Sequence, residues 1–324
     1  MDCVHYHRQK EFSMATRHEA AQGVLSRTVS STLTAALATT LLLAPSAGAQ
    51  AAKPEPVRQL GTVVRVVDGD TVIADIEGQQ HRIRVTGINA MELTDYDEGE
   101  LKGDCHAVRA TRVMKKLVLG KQVRFIAQDK DSMSGDRLRR RIQLLDGKKT
   151  DPAEQLLGQG LALWLPNGDE YRRNKRYARL AMKAAANHRG LWNSQACGAG
   201  PSQDAQLEIQ VKWQGKETVT ITNHGATPVD LTNWWLRDSS FHGERAHGHT
   251  FKTGPIVPAG GSIVIYSTKG ASAPGQYNWG LPNPVFDDVT GAPTNMADGA
   301  YLFDPQGDIR AAQQYAPKAP IQFP

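Results

Sequence analysis

The chain has 324 residues, a formal net charge of +5 and a sequence pI of about 9.0. This length predicts about two domains. Three cysteines are too few for a small disulfide scaffold. The modest basic excess is compatible with a polyanionic partner, but mildly basic exported proteins are common, so charge by itself does not define a function.

The N-terminus has the pattern of an export signal. Arg17 and Arg27 precede an apolar run over residues 34–44, and Ala47-Gly48-Ala49 supplies a small-residue cleavage site. The apolar run is too short for a permanent membrane span, and no other stretch is long enough. We therefore predict a secreted protein with these leading segments: a signal peptide over 1–49, with Met14 as an alternative start, and a lead-in over 50–56.

The stretch from Val66 to Glu92 predicts two strands joined by a turn at Glu77-Gly78. Within it, the bend Asp68-Gly69-Asp70 can direct one carboxylate inward. Arg84 lies on the returning strand, and Asn89 and Glu92 lie where that strand ends. Oxygen side chains beside an arginine suit a hard cation next to a phosphate.

Further elements follow as far as residue 192. Amphipathic spacing predicts a helix, Asp151 before Pro152 is an N-cap signal, and Gly190 is a helix stop. An acidic loop near the strand end is predicted to be solvated. The predicted elements are a helix over 105–119, strands over 123–126 and 138–145, a short helix from Pro152 to about 160, and a longer helix over 170–188.

Several of these features, in this order, resemble the staphylococcal-nuclease-like (thermonuclease) family. They are Asp68-Gly69-Asp70-Thr71, Arg84 followed by Gly87-Ile88, Glu92, and a last helix ending in Gly190-Leu191-Trp192. The resemblance covers about residues 57–192, and we place the domain at 57–195. It implies a five-stranded OB-fold β-barrel with about three helices, and calcium-dependent cleavage of DNA and RNA.

The resemblance also implies roles for single residues. Asp70 matches the first Ca²⁺ ligand, Arg84 a phosphate-binding arginine, and Glu92 the carboxylate that activates water. Asn89 departs from the family, which has aspartate there. An amide oxygen still coordinates calcium, so Asn89 and the Ala90 carbonyl complete the expected metal ligands with weaker binding.

A second catalytic arginine and an aromatic contact are less sharply defined by the pattern. Arg137 matches the arginine, Arg140 is the runner-up, and the alternative is that the whole basic run forms an electropositive rim. The family's tyrosines are absent. Trp164 or Tyr171 is predicted to stack on a base, and a core position is the alternative for Trp164.

Cys105 and Cys197 are interpreted together. Cys3 leaves with the signal peptide, so an even pair remains in a protein predicted to be exported. We predict a disulfide between them. The alternative is two free thiols.

After a linker at 196–204, short strands without helices predict an all-β sandwich. Residues 205–316 resemble the lamin-tail domain, which implies an immunoglobulin-like sandwich, and 317–324 is a tail. The resembling motifs include Asp230-Leu231-Thr232-Asn233-Trp234 and Gly299 to Asp304. Three histidines in one loop, His242, His247 and His249, are predicted to be solvated rather than a metal site. The sequence assigns this domain no ligand.

Two functions follow. The first is an exported, monomeric, calcium-dependent nuclease acting on DNA, RNA or both, with a lamin-tail accessory domain. The alternative is a catalytically weakened nuclease fold that serves as a nucleic-acid-binding or surface-attachment module. Every proposed catalytic residue precedes the linker, so a nuclease part ending near Ser194 is expected to fold and cleave by itself.

Overall fold

Alternating apolar residues build a closed β-barrel in the first half of the chain. The computed structural model describes residues 56–95, 101–167, 170–198, 205–213, 215–240, 248–286, 298–316 and 319–322. The predicted signal peptide lies outside these residues. The strands of the first half are β1 (Val57–Val66), β2 (Thr71–Ile76), β3 (Gln79–Val85), β4 (Ile88–Ala90), β5 (Leu93–Asp95), β6 (Lys102–Gly103), β7 (Gln122–Ala127), β8 (Met133–Ser134), β9 (Arg137–Leu144) and β10 (Ala162–Trp164).

Five of these strands close the barrel in the order β3-β2-β1-β7-β9, and a parallel pairing of β9 with β3 completes the ring. The predicted turn between β2 and β3 is formed by Glu77 and Gly78, whose φ angles are 54° and 81°. Two successive positive φ values match the right-handed twist of a tight hairpin. The ring brings Arg84 on β3 beside Arg139 on β9.

In the part of the chain that the structure describes, three α-helices pack on the barrel: α1 (Ala107–Val118), α2 (Pro152–Gly158) and α3 (Asn174–Ala186). Asp151 is the N-cap of α2, because its Oδ1 accepts a hydrogen bond from the Ala153 N–H at 3.0 Å. The predicted longer helix begins instead with a 3-10 turn, Tyr171–Arg173. In the described ranges, every helix falls short of the length and apolar character that crossing a membrane requires.

The second half forms an immunoglobulin-like sandwich. Its strands are β11 (Leu207–Lys212), β12 (Thr218–Asn223), β13 (Val229–Asp230), β14 (Trp235–Arg237), β15 (His249–Thr250), β16 (Ile256–Val257), β17 (Ser262–Tyr266), β18 (Gln276–Asn278), β19 (Gly299–Phe303), β20 (Ile309–Ala316) and β21 (Ala319–Gln322). The two main sheets have the strand orders β11-β12-β17-β18 and β15-β14-β19-β20-β21, and β13 pairs with β16 in a separate two-stranded sheet.

The five-stranded sheet is covered on both faces. On β19, Ala300 and Leu302 join the core between the two sheets, whereas Tyr301 and Phe303 join the core of the barrel. This alternation follows from the two-residue period of a strand. Trp235 stacks on Phe303 with ring centroids 5.2 Å apart, within the barrel's core cluster. The barrel and the sandwich therefore share a hydrophobic core.

The predicted disulfide between Cys105 and Cys197 is present, with an S–S distance of 1.99 Å. It lies where the barrel meets the sandwich. The Cys197 N–H donates to Asp308 Oδ2 at 3.2 Å, and a Cβ added to Gly307 would lie 3.1 Å from Cys105 Cβ. The bridge closes a loop between residues 92 apart in sequence.

Replacing both cysteines of this bridge with serine is expected to lower the free energy of unfolding by about 4–5 kcal/mol, because the unfolded chain regains the freedom of a long loop. Urea denaturation of the oxidised wild type and the double variant measures the difference. As a control, reductant should destabilise the wild type but leave the double variant unchanged. Equal stability of all four samples would contradict a structural bridge.

Candidate active site

The bend after β1 positions the first carboxylate. Asp68 Oδ1 accepts hydrogen bonds from the backbone N–H groups of Asp70 and Thr71 at 2.9 and 2.7 Å, which fixes the turn. Gly69 is required by close approach, because a Cβ there would lie 2.6 Å from the Ala90 Cβ. With the turn fixed, the Asp70 side chain points into the protein and is only 3% exposed.

Asp70 and Arg84 form a buried ion pair at the centre of the site. The other oxygen of Asp70, Oδ2, accepts from the Ala90 N–H at 2.7 Å, and Thr71 Oγ1 donates to Oδ1 at 3.1 Å. Burial lowers the pKa of Arg84 to about 10, although the Asp68 carboxylate opposes this shift. The guanidinium is thus a buried, positioned positive charge.

Asn89 links this ion pair to the sandwich. Its Oδ1 accepts from Arg84 Nη2 at 2.6 Å, and its Nδ2 donates to the backbone carbonyl of Ser239 at 2.6 Å. The side chain is 1% exposed. An aspartate at this position would set a carboxylate oxygen against a carbonyl oxygen. The structure therefore gives a physical reason for the amide at position 89.

We expect Asn89→Asp to lower the melting temperature of the protein in chelator, because a buried hydrogen bond becomes a repulsive contact, a loss of about 1–3 kcal/mol. Differential scanning calorimetry measures this effect. Asn193→Asp makes the same chemical change at an exposed amide and should leave the melting temperature nearly unaltered. If both variants melt alike, the contact with Ser239 contributes little to stability.

Glu92 and Arg137 lie at the edge of the buried pair. Burial, followed by the Asp68 carboxylate, raises the pKa of Glu92 above its ordinary value. Arg137 is half-buried and donates to Thr71 Oγ1 at 3.3 Å and, through Nε, to the Ser134 carbonyl at 3.3 Å. These bonds hold the guanidinium near the site.

The site opens into a first cleft of about 330 Å³. Two residues of the cleft wall, Ser240 and Asp298, come from the sandwich and were not predicted from the sequence. Asn89 and Ser239 are 150 positions apart, so no local pattern predicts this approach. Burial, and after it the negative charge of Asp238, raises the pKa of Asp298 to about 7. The first cleft is lined by Arg84, Glu92, Ser134, Arg137, Arg139, Leu165, Pro166, Asn167, Ser240 and Asp298.

Comparison with protein families agrees with this architecture. Residues 82–194 match the model described as staphylococcal nuclease homologue, and residues 195–317 match the lamin tail domain. The chain carries a staphylococcal nuclease domain followed by a lamin tail domain. No curated protein matches the chain significantly. The resemblance and the fold class predicted from the sequence are confirmed.

Within the nuclease domain, two of the predicted site residues, Arg140 and Trp164, are buried side chains that support the fold. Arg140 is 3% exposed and donates to the carbonyls of Lys130 at 2.9 Å and Ser132 at 3.3 Å, so it supports the loop before β9. Arg137, in contrast, lines the first cleft and donates to Thr71 Oγ1. Trp164 is 1% exposed in the barrel core, so of the two alternatives from the sequence, a core position and stacking on a base, the structure shows the core position.

Tyr171 and His249 are not among the described residues that line the first cleft. Tyr171 is half-buried in the 3-10 turn. In the lamin tail domain, His249 packs edge-on against Phe251, with ring centroids 4.9 Å apart. His242 and His247 lie outside the described residues.

The nuclease family implies a calcium ion, and the donor chemistry fits it. Asp70, Asn89 and the Ala90 carbonyl offer oxygen ligands, which calcium prefers. The hydrogen bond to Ser239 orients the Asn89 amide with its oxygen toward Arg84. In this structure the Arg84 guanidinium neutralises the Asp70 carboxylate and donates a hydrogen bond to the Asn89 amide oxygen, so it engages both side chains that would hold the cation.

Proposed function

We propose that this protein is a nuclease that hydrolyses phosphodiester bonds of DNA, RNA or both in the first cleft. One observation carries the proposal. Buried Asp70 and Arg84, with Glu92 and Arg137 beside them, open into a cleft of about 330 Å³, which is of small-ligand size. The lamin tail domain contributes part of the cleft wall through Ser240 and Asp298.

The proposed chemistry is attack of water on phosphorus. Arg84 and Arg137 offset the negative charge of the phosphate, which grows in the transition state. Glu92 holds the attacking water and takes its proton, and its raised pKa brings it closer to that of an effective base. The bond from phosphorus to the departing oxygen breaks, and that oxygen gains a proton from solvent.

Calcium, held by Asp70, Asn89 and Ala90, would add charge neutralisation at the phosphate oxygens. The test is a zymogram in gels containing DNA or RNA, run with calcium or with chelator. Clearing that requires calcium supports the proposal. Absence of clearing from folded protein on both substrates at every calcium concentration would exclude it.

The pH dependence of the rate follows from the environment of Glu92. The base works only when deprotonated, so activity should fall as pH drops through its pKa. Because burial raises that pKa in the free protein, the acidic limb of the kcat/KM profile, which reports groups of the free enzyme, should have its midpoint above 4.5, the ordinary value for a glutamate. A pH–rate profile with calcium saturating at each pH measures it. A midpoint at or below 4.5 would argue against Glu92 as the base.

A second function has a specific observation in its favour. Both polar atoms of Asn89 are engaged, and Arg84 contacts Asp70 directly, so a cation must displace this guanidinium. If the cation does not displace the Arg84 guanidinium, the protein would bind nucleic acid without cleaving it. Fluorescence anisotropy that shows binding, together with a blank zymogram, identifies this case.

Export is part of the proposal. It is supported by the pattern of basic, apolar and small residues over 17–49 and by the Cys105–Cys197 bridge, since disulfides persist in oxidising compartments. Mass spectrometry of protein collected from the medium tests it, and the expected N-terminus lies near Gln50.

A further inference from the structure

A second cleft of about 280 Å³ lies on the nuclease domain beside the first. Four arginines line it, and they come from β1, β9 and the 3-10 turn: Arg58, Arg141, Arg172 and Arg173. One acid, Glu170, also lines it. The Glu170 carboxylate accepts hydrogen bonds from the backbone N–H groups of Gln128 and Asp129, the shortest at 2.8 Å.

Two of these arginines are in ion pairs with acidic side chains, and the other two are exposed. Arg141 lies 3.4 Å from Asp151 Oδ2, and Arg173 lies 3.6 Å from Glu154. Arg58 and Arg172 are exposed, and neither has an ion pair within the described ranges. The second cleft therefore has uncompensated positive charge, which suits an anion.

Thr86 gives an independent indication of a ligand. It is 4% exposed and lines the second cleft, and its Oγ1 is buried without a hydrogen-bond partner in the described part of the chain. Buried hydroxyls in native proteins nearly always have a partner. A hydroxyl donor among arginines is the arrangement that a phosphate oxygen would satisfy.

The two clefts follow the same strand. Arg137 and Arg139 on β9 line the first cleft and Arg141 lines the second. Alternate residues of a strand share a face and are about 6.6 Å apart, comparable with the distance between neighbouring phosphates in an extended nucleic-acid strand. The opposite walls are also joined, because Asn167 of the first cleft accepts a hydrogen bond from the Glu170 N–H at 2.9 Å.

We propose that the second cleft binds a phosphate group of the same nucleic-acid strand whose scissile phosphodiester lies in the first cleft. This inference rests on the proposed function. Arg58 and Arg172 supply charge, Arg141 continues the row on β9, and Thr86 donates a hydrogen bond. The shared ligand chemistry is a phosphate, so free phosphate is tested separately from a strand.

The test measures binding of fluorescein-labelled oligonucleotides by anisotropy in chelator. Arg58→Gln with Arg172→Gln should weaken binding of an eight-nucleotide strand by about tenfold and lower the salt slope by about 0.7, as expected for one lost single-strand phosphate contact. Thr86→Val should weaken binding of the same strand, because valine keeps the shape of the threonine side chain but lacks its hydroxyl. A dinucleotide, which fills only the first cleft, should bind all variants equally.

The matched control is Arg65→Gln with Arg112→Gln, which removes the same two charges from exposed positions outside both clefts. Equal weakening by the two pairs would overturn the inference and show general attraction. So would ³¹P NMR evidence that the second cleft binds inorganic phosphate while affinity for the eight-nucleotide strand is independent of Arg58 and Arg172. Cleavage by wild type with no effect of the variants refutes the inference alone. Binding effects without cleavage refute the proposed function alone.

Discussion

Removing residues 195–324 is expected to leave a nuclease domain without a cooperative fold at 25 °C. The barrel core includes side chains of the lamin tail domain, and Trp192 packs against Tyr301 with centroids 6.2 Å apart. Each buried large apolar side chain contributes about 1.5–3 kcal/mol. The truncation also removes Cys197, so a further 4–5 kcal/mol or so is lost with the disulfide. These losses approach the whole stability of a typical domain, about 5–15 kcal/mol.

The shared core thus leads to the opposite expectation from the sequence, which predicts that a part ending near Ser194 folds and cleaves alone. Circular dichroism melting and binding of a hydrophobic dye measure the outcome. The matched control is the full chain with Cys105→Ser and Cys197→Ser, which lacks the bridge but keeps the lamin tail domain. If the truncated protein melts within a few degrees of that control, the shared core does not hold the barrel together.

Glu92→Gln is expected to lower kcat by about 10²–10⁴-fold, the usual contribution of a positioned general base. The amide keeps the shape of the side chain but cannot accept a proton from water. Binding of a labelled strand in chelator should change little, because the phosphate is held by arginines. Single-turnover cleavage of a labelled oligonucleotide gives the rate.

Glu208→Gln is the matched control for this variant, since it makes the same change at an exposed position on β11. It should retain the wild-type rate. Wild-type turnover by Glu92→Gln would remove Glu92 from the mechanism. A large fall in melting temperature would instead indicate that Glu92 supports the fold.

The local architecture could be predicted from the sequence. The bend at Asp68-Gly69-Asp70, the two-residue turn at Glu77-Gly78 and the N-cap at Asp151 depend on neighbouring residues, so their physics is contained in short stretches. The strand pattern around Arg84 likewise fixed which side chain faces Asp70. These features agree with the structure.

The orientation of single side chains required more than the pattern. In the run of arginines on β9, period-two alternation separates Arg140 from Arg137 and Arg139, but only the barrel closure decides which set faces the cleft. Similarly, the apolar stretch around Trp164 was compatible with either a core position or stacking on a base. The pairing of β10 with β4 buried it.

The sequence by itself determined the two folds, their order along the chain, the Asp70, Arg84 and Glu92 constellation and the cysteine pair. Only the tertiary structure decided that the lamin tail domain covers the nuclease domain and joins its site. The contacts that do this, such as Asn89 to Ser239 and Trp192 to Tyr301, link positions more than a hundred residues apart. Periodicity and spacing report on local structure, whereas a contact of this kind depends on how two completed folds pack together.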